Sequence, residues 1–268
     1  MSIQTLLIAN RGEVAVRIAR AAAELGMRTV AVFSEDDVQS LHIRKVDEAL
    51  PLHGKGAAAY LDIEQILAVA RAANCDAIHP GYGFLSENAR FALRCLKEGI
   101  TFVGPQADVL MLFGDKVNAR ALAEGEGVPV IPGTSQPTSL EEARAFLDAL
   151  GSNGAIMIKA LAGGGGRGMR EVYRPEELAG AYARCQSEAR AAFGEDGVYV
   201  EQLIRRARHI EVQVVGDGLG GVMHLWEREC TLQRRHQKLV EVAPSPSLPQ
   251  HLRERRMMQP PYSISSLS

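Results

Sequence analysis

The densest chemical signal in the chain is the segment Lys159-Ala-Leu-Ala-Gly-Gly-Gly-Gly-Arg-Gly-Met169, where Gly163, Gly164, Gly165, Gly166 and Gly168 fill five of six consecutive positions. A backbone without Cβ atoms can approach a ligand closely, adopt positive φ and aim several N–H groups at phosphate oxygens. Lys159, closing the apolar run 155–160, adds a compact positive charge. No Gly-Lys-Ser/Thr follows, so this is not a Walker A loop. Taken alone, the glycines suit a flexible hinge equally well.

A second signal is Gln233-Arg-Arg-His-Gln-Lys238, in which Arg234, Arg235, His236 and Lys238 stand around two amides. Read as one strand, Arg234, His236 and Lys238 share a face, and Gln233, Arg235 and Gln237 share the other. Like charges on one face repel, so an anion lying on that face would stabilise it. Nucleic acid is the weaker reading, because no interleaved aromatics or wider basic field accompany the segment. Glu201, Gln202, Leu203 and Ile204 end another strand, where backbone groups could read the edge of an adenine between apolar walls. Taken alone, this is a weak signal, and Glu201 reads as an ordinary strand-end carboxylate. His209 opens a strand beside Arg205, Arg206 and Arg208, and taken alone reads as a solvated basic turn. His79-Pro-Gly-Tyr-Gly-Phe-Leu-Ser-Glu-Asn88 places His79, Tyr82 and Glu87 after a strand, with Ser86 as the expected cap of the next helix.

The elements that must position these residues follow from apolar periodicity. Thr5–Ala9 and Thr29–Phe33 are strand-length apolar runs separated by a helical pattern from Val14 to Leu25. The alternation continues with a helix near 62–73, a strand at 76–79, a helix near 87–99 and a strand at 100–103. Continuous apolar strands alternating with helices predict an α/β, Rossmann-like N-terminal domain (1–104) with a parallel sheet. The first turn lacks Gly-x-Gly-x-x-Gly, so an NAD-binding dehydrogenase is the weakest reading. A helical connector is expected at 105–135. A smaller lobe over 136–204 follows in the order helix, strand, glycine loop, strand, helix, strand. A half-exposed strand from His209 then turns at Asp217-Gly218 and pairs back, with Gln233–Val242 extending the sheet.

Composition narrows the class. The 268 residues are 46% hydrophobic, and 30 Lys+Arg against 32 Asp+Glu leave a formal charge of −2, which provides no global attraction to nucleic acid or anionic membrane. No apolar stretch approaches the roughly 18–20 residues that span a bilayer. Cys75, Cys95, Cys185 and Cys230 form no C-x-x-C pair. That spacing suits neither zinc nor a disulfide framework, so a reduced, cytoplasmic setting is expected.

Taken together, the motifs resemble the biotin carboxylase family of ATP-grasp ligases. The matching segments are Ile8–Glu13, His79–Asn88, Gly114–Lys116, Lys159–Met169, the Glu201 strand, Arg208–Glu211, Glu227–Cys230 and Gln233–Lys238. The resemblance runs in order over about residues 3–255 and implies an incomplete ATP-grasp domain after the Rossmann-like one. It implies ATP-dependent carboxylation of biotin on a carrier domain, with bicarbonate attacking the γ-phosphate to give carboxyphosphate. The implied cofactors are ATP and Mg²⁺ (or Mn²⁺), with biotin as carrier-bound substrate. Implied partners are a biotin carrier protein, a carboxyltransferase component and a second copy of the chain. Lys116 and Lys159 would contact ATP phosphates, and Gly163–Gly166 with Gly168 would close over them. Glu201, Gln202, Leu203 and Ile204 would hold the adenine with Met169 nearby. His209, Gln233 and His236 would line the nucleotide site, and Lys238 would hold bicarbonate, making Lys238 and His236 the expected catalytic pair.

The same resemblance marks departures. The family's metal carboxylates, catalytic arginine and base glutamate have no counterpart here, so no metal ligand is assigned. Leu248–Arg255 still resembles the family, opening a helix at the end of the first part of the ATP-grasp C-terminal lobe (205–255). Residues 256–268, with Pro260-Pro261 and four serines, are expected to be a disordered tail from a frameshift or early stop. The chain taken literally is therefore expected to be inactive, with strands at 209–242 leaving an uncovered apolar face. A carbamoyl-phosphate synthetase-like ligase and a non-catalytic nucleotide-binding fragment are the alternatives.

Overall fold

The computed structural model describes residues 3–134, 136–161, 168–234 and 237–257. It divides into two compact units between Asp115 and Lys116.

In the first unit, β1 (Thr5–Ile8), α1 (Gly12–Glu24), β2 (Arg28–Phe33), β3 (Glu48–Pro51), α2 (Gly56–Tyr60), α3 (Ile63–Ala72), β4 (Ala77–His79), α4 (Ala89–Lys97), β5 (Thr101–Phe102) and α5 (Ala107–Gly114) follow one another. The five strands form one parallel sheet in the order β3-β2-β1-β4-β5. Leu7, Val30, Val32 and Ile78 pack with Ile66, Leu67 and Phe91 of α3 and α4. Ile8 packs with Ala15 and Ala19 of α1, and Leu6 and Ala77 with Ala22. Both faces are buried, which is why the strands read as unbroken apolar runs.

Two details differ from the sequence expectation. β3 has polar or proline residues at both ends, as an edge strand tolerates, and it pairs with β2 from Val30↔Glu48 to Phe33↔Pro51. α4 is capped by Asn88, whose side chain accepts from the Phe91 amide at 2.9 Å. Ser86 instead spends its own amide on Gly83 O in the preceding turn.

The second unit contains α6 (Lys116–Gly125), α7 (Leu140–Ala149), β6 (Ile156–Ala160), β7 (Met169–Val172), α8 (Leu178–Phe193) and β8 (Val198–Gln202). Ser139 and Glu142 form a reciprocal capping box that starts α7. The sheet is antiparallel in the order β7-β6-β8. Ile156, Ile158, Val172, Val198 and Val200 pack against Ala143 and Leu147 of α7 and Leu178, Ala181 and Cys185 of α8. Period-two alternation therefore puts Met157, Lys159, Met169, Tyr199 and Glu201 on the opposite face.

The remaining strands, β9 (Ile210–Gly216), β10 (Val222–Arg234) and β11 (Gln237–Val242), make a second antiparallel sheet in the order β11-β10-β9, followed by α9 (Gln250–Met257). Val214, Met223, Leu225, Trp226, Leu232 and Leu239 are exposed on it. Of the tail expected over 256–268, Arg256 and Met257 instead continue α9, and the remainder lies outside the described residues. All four cysteines are free and buried, two in each unit. Burial pushes the thiols of Cys75 and Cys185 up to about 11 and that of Cys95 up to about 12. No helix among the described residues is long and apolar enough to cross a membrane.

Candidate functional site

In the first unit the sheet order reverses direction at β1, with β2 on one side and β4 on the other. Ligands in open α/β sheets gather at the carboxyl ends of the strands on either side of such a point. Here one side chain ties the two loops together: Asn10 Nδ2 donates to Pro80 O at 2.6 Å and Tyr82 O at 2.9 Å. Gly81 has φ +68°, and a Cβ there would stand 2.6 Å from Asn10 Nδ2 and 2.8 Å from Val14 Cγ1. His79 Nδ1 accepts the Gly81 amide at 3.0 Å, and burial pushes its pKa down. Its observed task is thus to hold the turn as a neutral ring. Tyr82 is exposed, and its hydroxyl donates to Glu13.

Beneath these loops Arg11 grips Asp37 through Nε and Nη2, and Tyr60 and Ser40 hydroxyls donate to the same carboxylate at 2.7 and 2.8 Å. The Arg11 guanidinium holds the Asp37 carboxyl well below the usual range.

In the second unit, the face of β6–β8 turned away from α7 and α8 collects the predicted nucleotide-binding residues. Lys159 lies across the strands between Met169 and Tyr199, and Met157 lies between Glu171 and Glu201. Lys159 Nζ donates to Glu201 Oε2, and Arg120 Nη1 stands 3.7 Å from Glu201 Oε1. Gly168 is buried at φ +66°, and its carbonyl accepts from the Ala160 amide. The outer edge of β8 is occupied: Gln202 donates to Pro132 O and Thr134 to Val200 O, both at 2.8 Å. The Leu203 amide is bonded to Ala155 O. Past these bonds the Ile204 side chain is 51% exposed and presents an open apolar wall. Gly163, Gly164, Gly165 and Gly166 lie outside the described residues, as does the Lys116 side chain.

The second sheet gathers a separate polar group around Glu211, a residue the sequence reading did not single out as a site. Glu211 accepts from Lys238 Nζ and, at 2.9 Å, from Arg228 Nε, and His209 Nε2 lies 3.0 Å from it. Gln233 Nε2 donates to His209 Nδ1 at 2.8 Å and to Cys230 O at 2.9 Å, an arrangement that assigns the imidazole proton to Nε2. Lys238 first, then Arg228, hold the Glu211 carboxyl at about 2, and Glu211 pushes Lys238 up. The alternation His209, Glu211 on one strand carried this signal in the sequence, since i and i+2 share a face.

The geometry also corrects the reading of 233–238 as one strand. Gln233 pairs directly across from Lys238 and Arg234 from Gln237, so the segment is a hairpin joining β10 to β11. Gln233 and Lys238 therefore share a face, which continuous alternation had split. Arg235 and His236 lie outside the described residues. Among the described residues, no hydrogen bond or ion pair joins the Lys159–Glu201 group to the Glu211 group. No cluster of three or more His, Cys, Asp or Glu among them could hold a metal ion.

Both units match known families in sequence. Residues 2–110 match the biotin carboxylase N-terminal domain, and residues 115–262 match the ATP-binding domain of the carbamoyl-phosphate synthase L chain. The chain belongs to the biotin carboxylase family. It is 57% identical over 257 residues to pyruvate carboxylase of Bacillus subtilis, covering 94% of this chain and 22% of that protein. The biotin carboxylase of Campylobacter jejuni, solved with a β-γ-ATP ligand, superposes with TM-score 0.92 at 43% identity, over 96% of this chain and 57% of that one. The biotin carboxylase domain dimer of Hydrogenobacter thermophilus 2-oxoglutarate carboxylase, solved with MgADP, ADP and bicarbonate, gives 0.91 at 42% identity, over 96% and 56%. The chain thus spans about a fifth of the length of its pyruvate carboxylase relatives and rather more than half of the solved biotin carboxylases. Biotin carboxylases are ligases with an ATP-binding domain, and this chain carries the match to that domain.

Proposed function

We propose that the chain binds ATP on the Lys159–Glu201 face of its second unit and serves the ATP-dependent carboxylation of biotin on a carrier domain. The observation that carries this reading is the pairing of a lysine with a partly buried carboxylate on the face of β6–β8 turned away from α7 and α8, beside the exposed Ile204. Lys159 and Lys116 contact phosphates, and Gly163–Gly166 with Gly168 close over them. Glu201, Gln202, Leu203 and Ile204 receive the adenine beside Met169. His209, Gln233 and His236 line the site, and Lys238 holds bicarbonate, its charge fixed by Glu211. Two anions must be brought together to make carboxyphosphate, and cations offset their repulsion. The described residues do not supply a metal-ligand set, so Mg²⁺ would arrive with the nucleotide it accompanies.

The biotin carrier, a carboxyltransferase component, a second copy of the chain and a cytoplasmic location belong to the same proposal. So does the division into an N-terminal domain to residue 104, a connector to 135, a lid lobe to 204 and the ATP-grasp portion beyond. Equilibrium titration with ATP tests the binding step, where wild type should bind and Lys159→Ala should weaken binding by about tenfold or more. ADP release dependent on biotin and bicarbonate tests the chemistry. Release that depends on ammonia instead would favour a carbamoyl-phosphate synthetase-like ligase.

A further inference from the structure

The Lys159–Glu201 pair has a third member that the sequence reading did not select. Arg120, on α6, is 11% exposed and stands 3.7 Å from Glu201 Oε1, the carboxylate oxygen that Lys159 does not bind, while its Nη2 donates to the Ile131 carbonyl. Its Nε faces Glu124 Oε1 at 3.1 Å, off the N–H axis, and is buried without a hydrogen bond. Glu201 is 15% exposed and Lys159 25%. The backbone of Gly133 packs so closely on the glutamate that a Cβ there would stand 3.0 Å from Glu201 Cγ. One partly buried carboxylate therefore bridges two cations and has little room to move.

We propose that Arg120 is a positioning residue that lets Lys159 exchange Glu201 for a nucleotide phosphate. This proposal rests on the nucleotide-site reading above. With no ligand bound, Glu201 occupies the lysine as a phosphate would. When a phosphate draws Lys159 away, a carboxylate left alone at that depth would be costly. Arg120 keeps it paired: the 3.7 Å separation is an ion pair that has not closed to a hydrogen bond, and it can shorten as Lys159 leaves. Without Arg120, Glu201 binds Lys159 as its sole cation and competes harder with phosphate.

The test is a titration of the full 268-residue chain with adenosine, AMP, ADP and ATP, comparing wild type with Arg120→Met, Glu201→Gln and the double variant. Arg120→Met should weaken binding of the phosphate-bearing ligands by about tenfold and leave adenosine within about twofold. Adding Glu201→Gln to Arg120→Met should recover most of the loss, because the competitor has lost its charge. Arg120→Lys, which keeps the charge, should lie between wild type and Arg120→Met and serves if the methionine variant fails to fold. An equal loss for adenosine and ATP would assign Arg120 a purely structural role and overturn the proposal, as would a double variant no better than Arg120→Met. ATP binding by wild type that ignores every Arg120 change refutes this proposal alone. Failure of wild type to bind ATP refutes the nucleotide-site reading and this proposal with it.

Discussion

Gly81 and Gly83 lie two residues apart in one loop and share nearly the same backbone, φ +68° and +69°, yet they should tolerate alanine very differently. At Gly83 an added Cβ meets nothing within 4 Å. Gly83→Ala should therefore cost only the left-handed conformation, about 1 kcal/mol. At Gly81 the same Cβ would stand 2.6 Å from Asn10 Nδ2 and 2.8 Å from Val14 Cγ1. Both neighbours must move, adding about 1–3 kcal/mol of overpacking. Asn10 cannot move and keep its bonds to Pro80 O and Tyr82 O, which puts about 1 kcal/mol more at risk for each. Gly81→Ala should thus cost about 4 kcal/mol, about 3 more than its neighbour. Hydrogen exchange on peptides covering β1 and β4 reads this unit apart from the other, and the opening constants of the two variants should differ by about a hundredfold or more. Equal protection in both variants would refute the clamp.

Asp37→Asn should destabilise the first unit by about 2–3 kcal/mol at neutral pH, because five donors lose their charged acceptor. Arg11 holds the Asp37 carboxyl below its ordinary 3.8, so this stability is complete above that pH and disappears as pH falls. Urea titrations of wild type and variant should accordingly converge in acid. Arg253→Ala should cost the second unit about 3–5 kcal/mol by urea unfolding, since Glu227, 1% exposed, would lose the guanidinium that donates to its Oε1 at 2.9 Å. Glu211→Gln should lower the pKa of Lys238, which Glu211 raises; faster labelling of Lys238 by an amine reagent near pH 9 would verify it.

Where burial on both faces imposes a period, the sequence was readable. β1, β2 and β4 are unbroken apolar runs, and α1 and α3 end within a residue or two of their expected limits. β3 was missed because an edge strand needs few apolar residues, and Glu48-Ala-Leu-Pro51 has two. The hairpin at 233–238 was misread because alternation along one strand and pairing across a turn assign faces differently, and the segment has no Gly or Asn to mark the turn. Among the candidate site residues, Lys159, Glu201, His209, Gln233 and Lys238 were visible as chemically conspicuous types. Arg120 was not, because its partners lie 11 and 81 residues away and its spacing to Glu124 is that of any i,i+4 helical pair. Long-range partners of this kind are created by the fold and leave no local pattern.

The buried thiols give the protein an internal clock for its own opening. Cys75 and Cys95 sit in one unit and Cys185 and Cys230 in the other, all shielded, with their thiolates disfavoured. An alkylating reagent near neutral pH can reach them only through transient opening of the surrounding core. The rates at which the two pairs are modified thus record how often each unit opens, from a single sample and without an introduced probe. Protection by ATP confined to Cys185 and Cys230 would locate the nucleotide in the second unit.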